Sequence, residues 1–249
     1  CTVGGNVTID RLSIKEFQAG CMQIIDAPLT VKNSILDGCD MGGIQLRGST
    51  TAVLVNNYFV ALMNAGSLGL WEKVNVKAIN NTFIRSQINY FIHPNSTEPP
   101  MLTFINNIID VDDTGPIIQV DWPEWLPKKS EISKSTFQTN LIWLHDKICD
   151  PARGYCDFFP GKIEAATKID AAIDQRGWHY GSLDPQEGSA AIGTGDPAIP
   201  GVKNIGASGG PCTDGNSSMC ANFIEQQKTQ LLPPAAPTSA MPTSEPYVS

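Results

Sequence analysis

A doubled asparagine recurs along the first half of the chain. Asn56-Asn57, Asn80-Asn81 and Asn106-Asn107 are each followed by an aromatic or β-branched pair: Tyr58-Phe59, Thr82-Phe83 and Ile108-Ile109. Asn33-Ser34 before Ile35-Leu36 is a fainter copy upstream, and Thr139-Asn140 before Leu141-Ile142 a fainter copy downstream. Between first members the steps are 23, 24, 26 and then 33 residues. A period of this length predicts a solenoid, whose units bury their apolar faces only by stacking on one another. Asn tolerates the left-handed backbone conformation and can hydrogen-bond its own main chain, so it suits a tight turn between two strands. If each copy marks the same turn, the amides stack and satisfy one another along a column.

The pass along the chain agrees with that period. Residues 5–28, 29–50, 51–74, 75–100 and 101–130 each carry short runs of alternating apolar residues, the period-2 signal of strands, and SKSTFQTNLIWL begins a sixth unit. One short Asn turn per unit predicts an all-β right-handed parallel β-helix of about six coils. With 17% charged residues, 22 Gly and 18 Pro, short strands and turns are favoured over long helices. Domain boundaries follow composition: coils and a terminal segment over 1–210, a disulfide loop and short helix over 211–232, and a Pro/Ser/Thr-rich tail over 233–249. KIEAATKIDAAID is the best helical window before the end, and SSMCANFIEQQKTQLL suits a helix over 218–232 with Ser217 or Ser218 as its N-cap.

GGIQLRGSTTAVLVNNYF and VKAINNTFI are similar to coils of pectate-lyase-like right-handed parallel β-helix proteins. YGSLDPQEGSAAIGTGDPAIPGVKNIGASGG resembles the terminal segment that closes such helices, with Ala190 where Pro is usual and Asn204 where Asp is usual. The resemblance covers roughly residues 5–210 and specifies fold better than activity. It implies a binding groove on the third strand of each coil. The stretches there are GCMQIID, GGIQLRG, SLGLWEK, INYFIHP and PIIQVDW. Alternation points Met22/Ile24, Ile44/Leu46, Leu68/Leu70, Tyr90/Ile92 and Ile118/Val120 inward. The outward columns are then Gln23/Gln45/Gly69/Phe91/Gln119 and Ile25/Arg47/Trp71/His93/Asp121.

On that face Trp71 and Phe91 would stack on a sugar, and Arg47 would pair a uronate carboxylate bidentately. His93 beside Asp121 would be an oriented general base, giving a catalytic set of His93, Asp121 and Arg47. Gln45, Gln119 and Trp122 would complete a substrate platform. The bland reading is that these are exposed residues of a solenoid face. The residue sets that the resemblance implies for lyases (a Lys or Arg base with carboxylate-held Ca²⁺) and for hydrolases (Asn-Thr-Asp, Asp-Asp and Gly-His-Gly) are not found. No metal or cofactor is expected. Asp112-Asp113 with Asp110 is the one place for Ca²⁺, and a solvated acidic turn explains it as well.

A net charge of −8 argues against nucleic acid and anionic membranes as partners. The seven cysteines suggest the pairs Cys149/Cys156, Cys212/Cys220 and Cys21/Cys39, with Cys1 left over. Sequons stand at Asn6, Asn95 and Asn216, and a fourth at Asn80 lies in the ladder and is discounted. Disulfides with sequons place the chain outside the cell. No apolar run is long enough to cross a bilayer. The start runs straight into a coil, so like subunits or an upstream segment are expected to cover the first coil. Two functions remain: an extracellular structural or adhesive module of a filament or surface assembly with carbohydrate association, and a polysaccharide lyase or glycoside hydrolase on the third-strand face.

Overall fold

The computed structural model describes residues 5–39, 42–60, 67–71, 73–86, 88–91, 100–111, 118–120, 136–144, 163–164, 172–173, 179–180, 183–199, 202–210 and 217–231. The chain winds into a parallel β-solenoid in which successive strands go to different walls. The first coil gives β1 (Val7–Asp10), β2 (Ser13–Lys15) and β3 (Met22–Ile25). Then come β4 (Leu29–Lys32), β5 (Ile35–Asp37) and β6 (Ile44–Arg47), followed by β7 (Thr51–Val55), β8 (Tyr58–Val60) and β9 (Leu68–Trp71). The winding continues with β10 (Asn75–Ile79), β11 (Thr82–Ile84) and β12 (Ile88–Phe91), then β13 (Met101–Ile105), β14 (Ile108–Val111) and β15 (Ile118–Val120). The last strands are β16 (Thr136–Gln138), β17 (Leu141–Leu144), β18 (Ile163–Glu164), β19 (Ala172–Ile173) and β20 (His179–Tyr180), and α1 (Ser217–Leu231) follows. Sheet A has six strands in the order β1-β4-β7-β10-β13-β16. Sheet B has seven, from β18 to β2, and sheet C five, from β15 to β3. All pairings in these three sheets are parallel, and the interior is closed on all sides for about three turns.

The asparagine pairs divide two tasks. The first member makes the turn: Asn33, Asn56, Asn80, Asn106 and Thr139 all have φ between 52° and 62°. That is the left-handed region, where Asn costs less than other side chains. The second member is buried and builds the ladder. Asn57, Asn81 and Asn107 each donate Nδ2 to the Oδ1 of the next coil's amide, at 3.0, 3.1 and 3.0 Å. Each also donates Nδ2 to a carbonyl of the preceding coil (Val31, Leu54 and Ala78), all at 2.9 Å. Their Oδ1 atoms, with that of Asn140, accept the backbone N–H of the residue one coil earlier: Ser34, Asn57, Asn81 and Asn107. The turn breaks the strand ladder, and the amide column restores the lost bonds. Burial also disposes of the Asn80 sequon.

Inward positions form one continuous core that includes Val31, Leu36, Leu54, Phe59, Leu70, Ala78, Phe83 and Phe104. Ala78 of sheet A and Phe83 of sheet B come from one coil, and Phe104 of sheet A and Ile109 of sheet B from the next. The aromatic stack therefore changes walls as it passes from Phe83 to Phe104.

Cys21 and Cys39 are disulfide-bonded, with Cα atoms 5.6 Å apart. The bond staples the first coil to the second, where Val7, Ile9, Ile14 and Met22 are only partly buried. Removing it (Cys21→Ser with Cys39→Ser) is expected to cost about 3 kcal/mol, from the loop entropy of the 18-residue separation. A urea titration of the double variant checks this, and a midpoint unchanged from the parent would contradict it. Cys220 is also disulfide-bonded, with a partner outside the described residues. Cys149, Cys156 and Cys212 lie outside them as well.

The terminal segment does not close the end of the solenoid. It runs along its side. Leu183 packs on Val60 and Ile84, and Ala191 and Ile205 pack on Ile108 and Leu141. Tyr58 Oη donates to Asp184 at 2.6 Å; burial and then that carboxylate push the phenol up. Asn80 and Asn106 donate their outer amides to carbonyls of Asn204 and Gly206, and Asp196 accepts from Gln138 and Thr139. The turn asparagines are thus also the docking rail for this strap.

Helix α1 forms where the composition predicts it, within one residue of the expected start. Cys220, Phe223 and Ile224 cover Val53, Val55 and Ile79 on the outer face of sheet A. The other helical window is not helical where it is described. Ile163–Glu164 pairs with β17, and Ala172–Ile173 pairs with β20. Edge pairing onto an existing sheet outweighs a modest local helix preference.

Lys77 lies under α1, 9% exposed, with Nζ bonded to the side-chain carbonyls of Gln227 and Gln230. Burial lowers its pKa from the ordinary 10.5. The folded state therefore binds fewer protons than the unfolded one, and stability rises with pH between the lowered value and 10.5. Lys77→Met is expected to raise Tm at pH 7 by about 2–4 °C and to remove that alkaline increment. Melting curves of both proteins at pH 7 and pH 10 test it; an equal alkaline gain in the variant would contradict the assignment.

Candidate functional site

The three walls have different fates. Sheet A is covered by α1 and sheet B by the strap. Among the described residues, no hydrogen bond or apolar cluster joins either segment to the outer face of sheet C. That face is the candidate site, and its register is defined by pairing. Gln23, Gln45, Gly69, Asn89 and Gln119 share one register column. Ile25, Arg47, Trp71 and Phe91 lie on the other; the Ile25–Arg47 and Trp71–Phe91 pairs are explicit, and the Leu46–Leu70 pair sets Arg47 beside Trp71.

This register corrects the expected columns at one coil. Alternation puts Phe91 beside Gly69 and His93 beside Trp71, whereas β12 places Asn89 beside Gly69 and Phe91 beside Trp71. Ile88 and Tyr90, not Tyr90 and Ile92, take the inward register positions. The slip is two residues. A one-residue slip exposes a core face and is excluded by pattern, but a two-residue slip keeps every residue on its own face. His93, Asp121 and Trp122 lie outside the described residues, as do Asn95, Asn216, Asp112 and Asp113. Gln119 is placed in register next to Asn89. Asn6 is exposed just before β1.

The part of the site with defined side chains is Gln45, Arg47 and Trp71. Arg47 Cζ stands 4.1 Å from the centre of the Trp71 ring. Trp71 Nε1 donates to Gln45 Oε1 over a long 3.5 Å. Gly69 sits beneath: a Cβ there would come within 2.5 Å of Gln45 Oε1. Its only mark in the sequence is a glycine inside a strand pattern, which signals a close approach without saying by what. Arg47 is held at the end of β6 by the turn that follows. Thr50 Oγ1 donates to the Arg47 carbonyl at 2.6 Å, and Gly48, at φ 65°, leaves room for the Asp26 carboxylate that accepts from Ser49 N–H at 2.7 Å. Arg47 Nε is buried with no hydrogen-bond partner. Chemically this is a cation stacked on an indole with an amide beside it, on the outer face of sheet C in an acidic protein.

Among the described residues no group of three or more His, Cys, Asp or Glu is placed to hold a metal ion. No described helix is long and apolar enough to cross a membrane. The fold defines a class, a parallel β-solenoid. No protein-family model, curated protein or solved structure matches the chain.

Proposed function

We propose that this chain is an extracellular structural or adhesive module that associates with a glycan along sheet C. The observation that carries the proposal is the unequal covering of the walls. Among the described residues, the C-terminal segments pack on sheets A and B, and none of them packs on Gln45, Arg47 or Trp71 of sheet C. A row of polar and aromatic side chains at the roughly 4.8 Å spacing of stacked strands matches an extended ligand lying along the solenoid axis. The same proposal extends to the fold: a right-handed helix of about six coils, similar to the pectate-lyase-like superfamily. The six strands of sheet A and the coil and terminal-segment motifs support it. The extracellular setting rests on the Cys21–Cys39 bond and the exposed sequon at Asn6. The partly buried apolar residues of the first coil support stacking of like subunits there.

The test is affinity electrophoresis of the purified chain through acidic and neutral polysaccharides, with Arg47→Ala beside it. Retardation lost in Arg47→Ala is the expected result; equal mobility in every gel would sink the glycan reading. Product formation in the same mixtures would move the protein to the alternative, a lyase or hydrolase. Sedimentation at increasing concentration tests the stacking, which a persistent monomer would contradict.

A further inference from the structure

We infer that the disulfide of Cys220 is a redox-labile latch on α1. Lys32 and the positive end of the helix stabilise Cys220 as the departing thiolate, so an external dithiol opens this bond while Cys21–Cys39 stays closed. The inference is independent of the glycan reading of sheet C.

Three elements meet at the Cys220 sulfur. α1 begins at Ser217, so Cys220 stands in its first turn. The N–H groups of that turn have no carbonyl of their own helix to bond, and they give that end a partial positive charge. Lys32 of β4 reaches up from the outer face of sheet A, and its Nζ lies 3.9 Å from Cys220 Sγ. Asp10, the register partner of Lys32 on β1, holds the same ammonium at 3.3 Å. The lysine is therefore placed by a carboxylate on one side and meets the sulfur on the other. Among the described residues, the other charged groups of α1 and of the sheet A strands are engaged elsewhere. Glu225 and Lys228 pair with each other. Lys77 serves Gln227 and Gln230, about two turns further along the helix.

A sulfur leaves a disulfide more readily the better its negative charge is held, and a nearby cation and a helix N-terminus both hold it. Cys220 is buried, with Phe223 and Ile224 beside it and Val53, Val55 and Ile79 below. It is shielded from attack and is the leaving atom. The reductant's thiolate attacks the sulfur bonded to Cys220. That S–S bond breaks, and Cys220 Sγ keeps the electron pair beside Lys32. The second thiol of the reductant then resolves the mixed disulfide. Two electrons pass to the protein and the reductant ends as its own cyclic disulfide. Of its two protons, one stays on the partner sulfur and one goes to solvent.

Cys21–Cys39 has the opposite surroundings. It lies in the apolar core of the first coils, with Cys39 fully buried. Among the described residues no cation bonds to either sulfur, so a thiolate there would be a bare charge among hydrocarbon. Opening the Cys220 bond matters because a helix of 15 residues is marginal by itself. After reduction its apolar contacts, the Lys77 bonds and the Lys32 contact are what hold it to sheet A among the described residues.

The experiment equilibrates the oxidised full chain with graded ratios of reduced to oxidised dithiothreitol and traps free thiols by alkylation. Peptide mass spectrometry then reads the labelling of Cys220 and of Cys21. Cys220 should label at a ratio at which Cys21 is still protected. Lys32→Met should need about tenfold more reductant to open the Cys220 bond, about 30 mV in potential. Asp10→Asn keeps an acceptor for Asn33 and frees the ammonium for the sulfur, so it should need less reductant than the parent. Hydrogen exchange of the α1 amides should quicken once Cys220 is reduced, with the Asn57 and Asn81 amides unchanged. Cys21 opening at the same ratio as Cys220, or before it, overturns the selective lability. A Lys32→Met protein that behaves as the parent, or an Asp10→Asn shift in the same direction as Lys32→Met, overturns the part played by the lysine. Unchanged exchange in α1 overturns the latch and leaves the labile bond standing.

Discussion

Asn81→Ala is expected to lower folding stability by about 4 kcal/mol, and more than any surface change in the chain. The side chain is fully buried and makes bonds in both directions. Its Nδ2 serves the Leu54 carbonyl at 2.9 Å and Asn107 Oδ1 at 3.1 Å, and its Oδ1 accepts both the backbone N–H and the side-chain amide of Asn57, each at 3.0 Å. Alanine would leave the buried Asn57 N–H without the acceptor it has here and would take a donor from the buried Leu54 carbonyl. Each orphaned group costs about 1–3 kcal/mol, and the neighbouring amides each lose one bond more. Equilibrium unfolding in urea measures this. Asn33→Gly provides the contrast: Asn33 is partly exposed at the edge of the turn column, and glycine accepts its φ of 52°. That variant should stay within about 1 kcal/mol of the parent. If the two variants lost stability equally, the ladder would not be the cooperative element described.

The second large effect is expected at Phe83. It stacks on Phe59 with ring centres 4.8 Å apart and planes within 5°, and on Phe104 at 5.3 Å. All three are fully buried. Phe83→Ala removes the member that joins Phe59 to Phe104 in the stack. Neighbouring coils are tied by strand ladders and cannot collapse into the gap, so the cost should lie toward the upper part of the 3–5 kcal/mol range, at about 4–5 kcal/mol. Phe83→Leu should cost less than half as much. Chemical denaturation of both variants decides the matter, and near-parent stability in the alanine variant would mean that the solenoid wall relaxes far more than a close-packed interior does.

Much of this architecture is legible in the residues because the repeat reports two constraints at once. The Asn pair marks the position where the backbone turns left-handed and the position where a buried amide must satisfy the broken ladder. Both demands are local and both recur in every coil, so Asn56-Asn57 and Asn80-Asn81 announce the turn wherever they occur. Strand faces follow, since alternation separates Leu46 from Arg47 without any knowledge of the neighbouring coil. Cys21 and Cys39 are legible only as a candidate pair; that they lie close enough to bond is set by the stacking of the first coil on the second. The expected column at β12 shows where this ends. Parity says that Phe91 and His93 both face outward, and only hydrogen bonding to β9 says which of them stands beside Trp71.

The lateral strap and the helix mark the other boundary. Nothing in the sequence of residues 183–210 specifies that Asn204 and Gly206 offer their carbonyls to Asn80 and Asn106, because those partners are about a hundred residues away and are brought there by winding. The same holds for α1. Its apolar Phe223 and Ile224 show that it must be covered, but not that Val53, Val55 and Ile79 do the covering. Which walls these segments cover cannot be read before the dockings are known.

Periodicity and turn chemistry in the chain itself therefore determined the solenoid, its walls and the inward and outward sense of each strand, because these depend on neighbours in sequence or one repeat away. Only the tertiary structure decided which coil positions stand side by side, which walls the C-terminal segments cover, and that the Trp71 face is occupied by Arg47 over a glycine that admits Gln45. Those are contacts at distances no local pattern encodes, set by whichever packing satisfies the buried polar groups and fills the volume together.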